Sequence, residues 1–105
     1  MISQLIETLN EAIEELHGAK SYIEEALTLK ELNKQDFAKH YYELACDELK
    51  HASTLKDMSQ EYKSNIEPEH LTPDLSKYID MLCDKYRSKL LKVKVAIMMY
   101  EGKLA

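Results

Sequence analysis

Three observations predict an all-α protein of three long helices. Only two Gly and two Pro punctuate 105 residues. Charged residues make up 31% and are interleaved with recurring Leu, Ile, Ala, Glu and Lys, a composition that favours long helices and little loop. Apolar residues return at the helical period along three stretches, with none of the strict alternation of strands. A chain of this length is expected to form a single helical domain, 1–105, able to bury a core yet small enough for oligomerisation to add much of its stability.

The first helix is expected over about 3–30, where Ile2, Leu5, Ile6, Leu9, Ile13, Leu16, Ile23 and Leu27 follow the helical period. Ala12, Ala19, Tyr22 and Ala26 widen that stripe to one side, and Glu15 falls at its margin. Gly18, one turn away, either permits close approach by a neighbour or is tolerated at a cost of about 1 kcal/mol. The break at Leu32–Asp36 is short, with Asn33 as the expected N-cap and Asp36 near the positive end of the next helix. So short a connection makes the two helices antiparallel neighbours.

The second helix is expected over about 34–64. Phe37, Tyr41, Leu44, Ala45, Ala52, Leu55, Met58 and Tyr62 fall in one arc, with Glu48 near its middle and His51 inside its edge. That arc is expected to be the buried face. A carboxylate buried there must be paired, protonated or bound to a metal. Both prolines lie in the loop Asn65–Asp74, which ends in a Thr72 cap with Pro73 at the first helical position. The third helix is expected over about 73–101, stopped by Gly102. Its face reads Leu75, Tyr78, Ile79, Leu82, Tyr86, Leu90, Val93, Ile97 and Tyr100, while Leu91, Val95, Met98 and Met99 lie outside it and suggest a partner surface.

Glu15 on the first helix, with Glu48 and His51 on the second, matches half of a di-iron carboxylate ligand set. Such sites draw a Glu from each of two helices and a Glu-x-x-His pair from each of two others. The break near Leu32 is close to midway between Glu15 and Glu48, so folding the hairpin brings them to one height. Glu11 or Glu14 would replace Glu15 if the helix register differed. His17, His40 and His70 are expected to be solvated.

These residues resemble the rubrerythrin branch of the ferritin-like superfamily. Residues Glu15 to Leu55 lie on a rubrerythrin first hairpin without a gap, with Glu15, Tyr22, Ala26, Glu48, His51 and Ala52 on matching positions. The resemblance implies Glu15 as a terminal carboxylate ligand, Glu48 as a bridging one, His51 as a terminal imidazole, and Tyr22 as a nearby hydrogen-bonding or redox-active catalytic phenol. The third helix, however, supplies neither a second Glu nor a second Glu-x-x-His, and the paired Cys-x-x-Cys iron domain of rubrerythrins is missing. One chain therefore offers half a site. A two-fold dimer would complete the ferritin-like half-bundle to a four-helix bundle holding two iron ions. Small two-helix encapsulated-ferritin-type proteins are similar in this respect, although no shell-targeting tail is evident in Met99–Ala105.

The implied function is oxidation of ferrous iron by O2 or peroxide, serving iron storage or oxidative-stress protection, with an external electron donor or an encapsulating shell as further partners. Two other readings stand beside it: a non-catalytic helical adaptor or assembly protein, and a zinc or manganese binding protein. The net charge of -5 and the lack of a concentrated basic stripe in the sequence argue against a nucleic-acid partner. Cys46 and Cys83 form no Cys-x-x-Cys pair, which leaves thiolate zinc and thioredoxin-type chemistry unsupported. No basic start followed by an apolar run marks a leader, and Val93–Tyr100 is too short to span a bilayer, so a soluble cytoplasmic location is expected.

Overall fold

The computed structural model describes residues 1–104, and within them three helices follow one another: α1 over Ile2–Glu31, α2 over Gln35–Ser64 and α3 over Pro73–Tyr100, with a 3-10 turn at Pro68–His70 before α3. The α1–α2 turn closes by hydrogen bonds from Asn33 N–H to the Lys30 carbonyl and from Lys34 N–H to the Leu29 carbonyl. This pattern places Asn33 just past the end of α1 in the left-handed region, at φ 59°. The expected N-cap at Asn33 is thereby corrected: Lys34 is the N-cap, without a side-chain cap bond. Asn suits an N-cap because its side-chain oxygen accepts a backbone N–H, and suits the position after a helix end because its short amide tolerates positive φ. Thr72 caps α3 as its sequence suggests, accepting a hydrogen bond from Leu75 N–H at 3.3 Å with Pro73 beside it. Gly102, at φ 73°, closes the other end of α3.

The hairpin is held by small residues at seven-residue spacing. Ala12, Ala19 and Ala26 on α1 and Ala38, Ala45 and Ala52 on α2 are all completely buried. Ala26 and Ala38, Ala19 and Ala45, Ala12 and Ala52, and Leu5 and buried Ser59 are each symmetric about the turn, so antiparallel folding sets them in four layers. Without long side chains between them, α1 and α2 pack closely. The third helix lays Ile79, Leu82, Tyr86, Val93 and Ile97 on α1, meeting Leu5, Leu9, Leu16 and Ile23, and Ile66 tucks the preceding loop beneath the same core.

Because α3 occupies one side of the hairpin, the other side is left open. Of the α2 arc expected to be buried, Ala45 and Ala52 are buried against α1, but the rest faces this open side: Phe37 is 63% exposed, with Leu44 and Met58 also exposed and Tyr41, Glu48, Leu55 and Tyr62 half-buried. Periodicity marks which residues share a face, and here no element among the described residues covers that face. On α3, Leu91, Val95, Met98 and Met99 are exposed as well. No helix among the described residues is long and apolar enough to cross a membrane.

Candidate metal centre

The open face of the hairpin gathers Glu15, Glu48 and His51. Glu15 projects from α1 between the Ala12 and Ala19 layers, and Glu48 and His51 project from α2 between Ala45 and Ala52, so the small-residue packing sets their common height. One ligand atom from each lies within 4.8 Å of the others. His51 Nδ1 is 3.7 Å from Glu15 Oε2 and 3.9 Å from Glu48 Oε1. Both distances are too long for hydrogen bonds, so the imidazole does not satisfy either carboxylate.

Glu15 Oε2 is buried and has no hydrogen-bond partner among the described residues. An acceptor left in this state costs free energy, and a cation would relieve it. Gly18 leaves the space in which the Glu48 carboxylate lies: a Cβ at position 18 would stand 3.3 Å from Glu48 Oε2. First-row divalent ions take carboxylate oxygen and imidazole nitrogen at about 2.0–2.2 Å, so donors spaced in this way suit a shared ion. The donor set, the orphaned oxygen and the glycine cradle all fit a metal. They form an open half-site, with the His51 side chain 61% exposed, rather than an enclosed cage. Clefts lie elsewhere too, one of about 200 Å³ at the far end of the same face between Met1, Met58 and Tyr62 and one of about 390 Å³ beside it between Met1, Ile66 and His70.

Glu11 and Glu14 are exposed and stand outside this group, and His40 and His70 are exposed too. Tyr22 is half-buried one heptad from Glu15, its ring 6.1 Å from that of Tyr41, which lies one heptad from Glu48. Among the described residues, no hydrogen bond joins Tyr22 to Glu15, Glu48 or His51.

Two arrangements escaped the sequence reading. Tyr42 stacks on Tyr100 with centroids 4.6 Å apart and donates its hydroxyl hydrogen bond to Glu101 Oε2 at 2.5 Å. That bond raises the Tyr42 phenol above its ordinary pKa and, with help from Lys103, holds the Glu101 carboxyl below the usual range. The tandem Tyr41–Tyr42 was the available signal, but only the fold brings Tyr100 and Glu101 to it. Second, Lys85, Lys89 and Lys92 share a face of α3 beside Lys20 and His17 of α1, with Lys89 Nζ 3.4 Å from His17 Nδ1. Partial burial, then the neighbouring ammonium groups, lower the Lys89 pKa. A local basic stripe thus exists despite the acidic total.

Compared with models of known protein families, with curated proteins and with solved structures, the chain matches none.

Proposed function

We propose that the chain is half of a di-iron carboxylate protein, and that two copies pair through the open α1–α2 face to oxidise ferrous iron with O2 or peroxide. The observation that carries this reading is Glu15 Oε2, buried without a hydrogen bond among the described residues, within the Glu15–Glu48–His51 group in the middle of an uncovered apolar face. Each copy would contribute two carboxylates and one imidazole. The carboxylates offset the charge of two divalent ions, Glu48 is backed by Gly18, and the flanking apolar residues exclude water once the faces meet. Bound there, a pair of ferrous ions supplies two electrons to O2 or peroxide.

The second reading, a helical adaptor, is favoured by one feature: residues 37, 41, 44, 48, 51, 55, 58 and 62 of α2 alternate steps of four and three, the seam spacing of a helix that packs on another helix. Anaerobic ferrous titration of the metal-free protein, with iron stoichiometry and solution mass followed by exposure to air, separates the two. Two irons per dimer and a transient oxidised absorbance support the shared centre. An adaptor would bind no iron above background, and Glu48→Ala would leave it folding at least as well, whereas the metalloprotein would lose iron and metal-dependent stability. Zinc or manganese binding without oxygen consumption would favour the remaining alternative.

A further inference from the structure

The tyrosines at the turn end of the molecule stand apart from the Glu15–Glu48–His51 group. Tyr22, Tyr41, Tyr42 and Tyr100 nevertheless all pack around one buried cluster, Ala19, Ile23, Ala26, Ala45, Val93 and Ile97. The Tyr22–Tyr41 pair lies on the open face, one heptad and therefore about 10 Å of helix rise from Glu15 and Glu48. Tyr42, the next residue along α2, sits on the flank toward α3, stacked on Tyr100 with its hydroxyl on Glu101. Tyr41 and Tyr42, consecutive on α2, thus stand on two sides of that cluster, one toward the face of the candidate centre and one toward α3.

We propose that Tyr22, Tyr41 and Tyr42 form a one-electron relay between the Glu15–Glu48–His51 group and the outer surface, ending on the Tyr42–Glu101 pair. The relay rests on the di-iron reading for its source of oxidant. A phenol gives up an electron readily only when its proton leaves with it, and the Glu101 carboxylate is in hydrogen-bond contact to take that proton. In the step, the Tyr42 O–H bond breaks, the proton passes to Glu101 as its carboxylic acid forms, and the electron tunnels inward past the Tyr41 and Tyr22 rings, which keep their phenolic protons. The oxidant is hydrogen peroxide, which takes two such electrons in two passes with two solvent protons and leaves as two waters. At the surface, an outer-sphere one-electron donor reduces the Tyr42 phenoxyl, and Glu101 returns the proton. Lys30 Nζ lies 4.8 Å from the centroid of the Tyr100 ring. This positive charge disfavours removing an electron from Tyr100, so the oxidised residue is Tyr42.

The test uses the full chain in two states. Metal-free protein is oxidised by flash-generated tris(bipyridyl)ruthenium(III) and frozen for electron paramagnetic resonance. The wild type should give a tyrosyl signal that falls at least about tenfold in Tyr42→Phe, and Glu101→Gln should make its yield depend on the concentration of buffer base. Ferrous-loaded protein is then given peroxide and ferrocyanide: Tyr42→Phe should take up the same iron yet oxidise ferrocyanide at least about tenfold more slowly. An unchanged radical yield, or an unchanged ferrocyanide rate at equal iron loading, overturns the relay alone. Failure of the wild type to take up iron overturns the di-iron reading beneath it and the relay's inner end with it.

Discussion

A carboxylate can lie against a helix only where that helix gives it room, and Gly18 is where α1 does so for Glu48. In Gly18→Ala the new Cβ would crowd Glu48 Oε2 at 3.3 Å, but the carboxylate ends a flexible side chain on a half-open surface and can swing outward. The helix itself gains up to about 1 kcal/mol from the exchange. We expect the metal-free protein to melt higher while its affinity for ferrous or zinc ions falls about tenfold, measured by scanning calorimetry and by titration. Asn33 offers a second check at this scale. Its φ of 59° is tolerable for Asn and free of cost for Gly, so Asn33→Gly should stabilise by a few tenths of a kcal/mol and Asn33→Val should destabilise by about 1 kcal/mol or more, both read from denaturant midpoints.

Among the elements, α3 is the one whose attachment depends on polar contacts as well as on its apolar face. Its C-terminal end is latched by Tyr42 to Glu101, by the Tyr42–Tyr100 stack and by Lys30 Nζ donating to the Tyr100 carbonyl. Removing the hydroxyl in Tyr42→Phe keeps the stack and loses the hydrogen bond, so Tm should fall by roughly 2–4 °C, with faster amide exchange confined to the last turns of α3. The pH dependence follows from the two shifts. Glu101 is lowered, so its contribution is present above the ordinary carboxylate range and is lost as pH falls through the depressed value. Tyr42 is raised, so its contribution is complete below the ordinary phenol value of about 10 and is lost as pH rises further. Difference melts of wild type and Tyr42→Phe should therefore be flat near neutrality and converge at both extremes.

The ends of α3 were legible because their caps are local, Thr72 with Pro73 and Gly102 needing only their neighbours, whereas Asn33 reads as the start of α2 although it closes α1, since an Asn favours both positions. The candidate site was legible because Glu15 and Glu48 stand nearly equidistant from one short turn, and because only Glu15 lies at the edge of the stripe running through Ala12 and Ala19. What could not be read was long-range. Nothing local says that α3 would choose the side of the hairpin opposite Phe37 and Leu44, nor that Glu101 would meet Tyr42 or Lys89 meet Lys20.

Taken whole, the molecule is long and thin, 56 × 22 × 17 Å with a radius of gyration of 16.4 Å, against about 13 Å for a compact domain of this length. Such a shape buries less apolar surface per residue and leaves one full side of a hairpin uncovered. Two helices about 45 Å long and about 10 Å wide present roughly 900 Å², close to what each partner of a stable dimer contributes. Two-fold pairing through this face would set two copies of Glu15 and Glu48 against each other, and four unneutralised carboxylates oppose association. The proposed dimer is therefore linked to metal: ferrous or zinc ions should tighten it, and a chelator should weaken it, by sedimentation at matched protein concentration. Leu44→Glu tests the face directly. Leu44 is 42% exposed in one chain, so the charge costs little in the isolated fold, whereas in the pair it would be buried without a partner. The variant should sediment as a monomer with helical content intact and bind iron at least about 100-fold more weakly, having half the donors. Lys39→Glu, on the exposed side of α2 away from the face, should change neither mass nor iron binding. A Leu44→Glu protein that still sediments as a dimer with full iron loading would place the interface elsewhere, and wild-type monomer that loads iron fully would remove the need for a second copy.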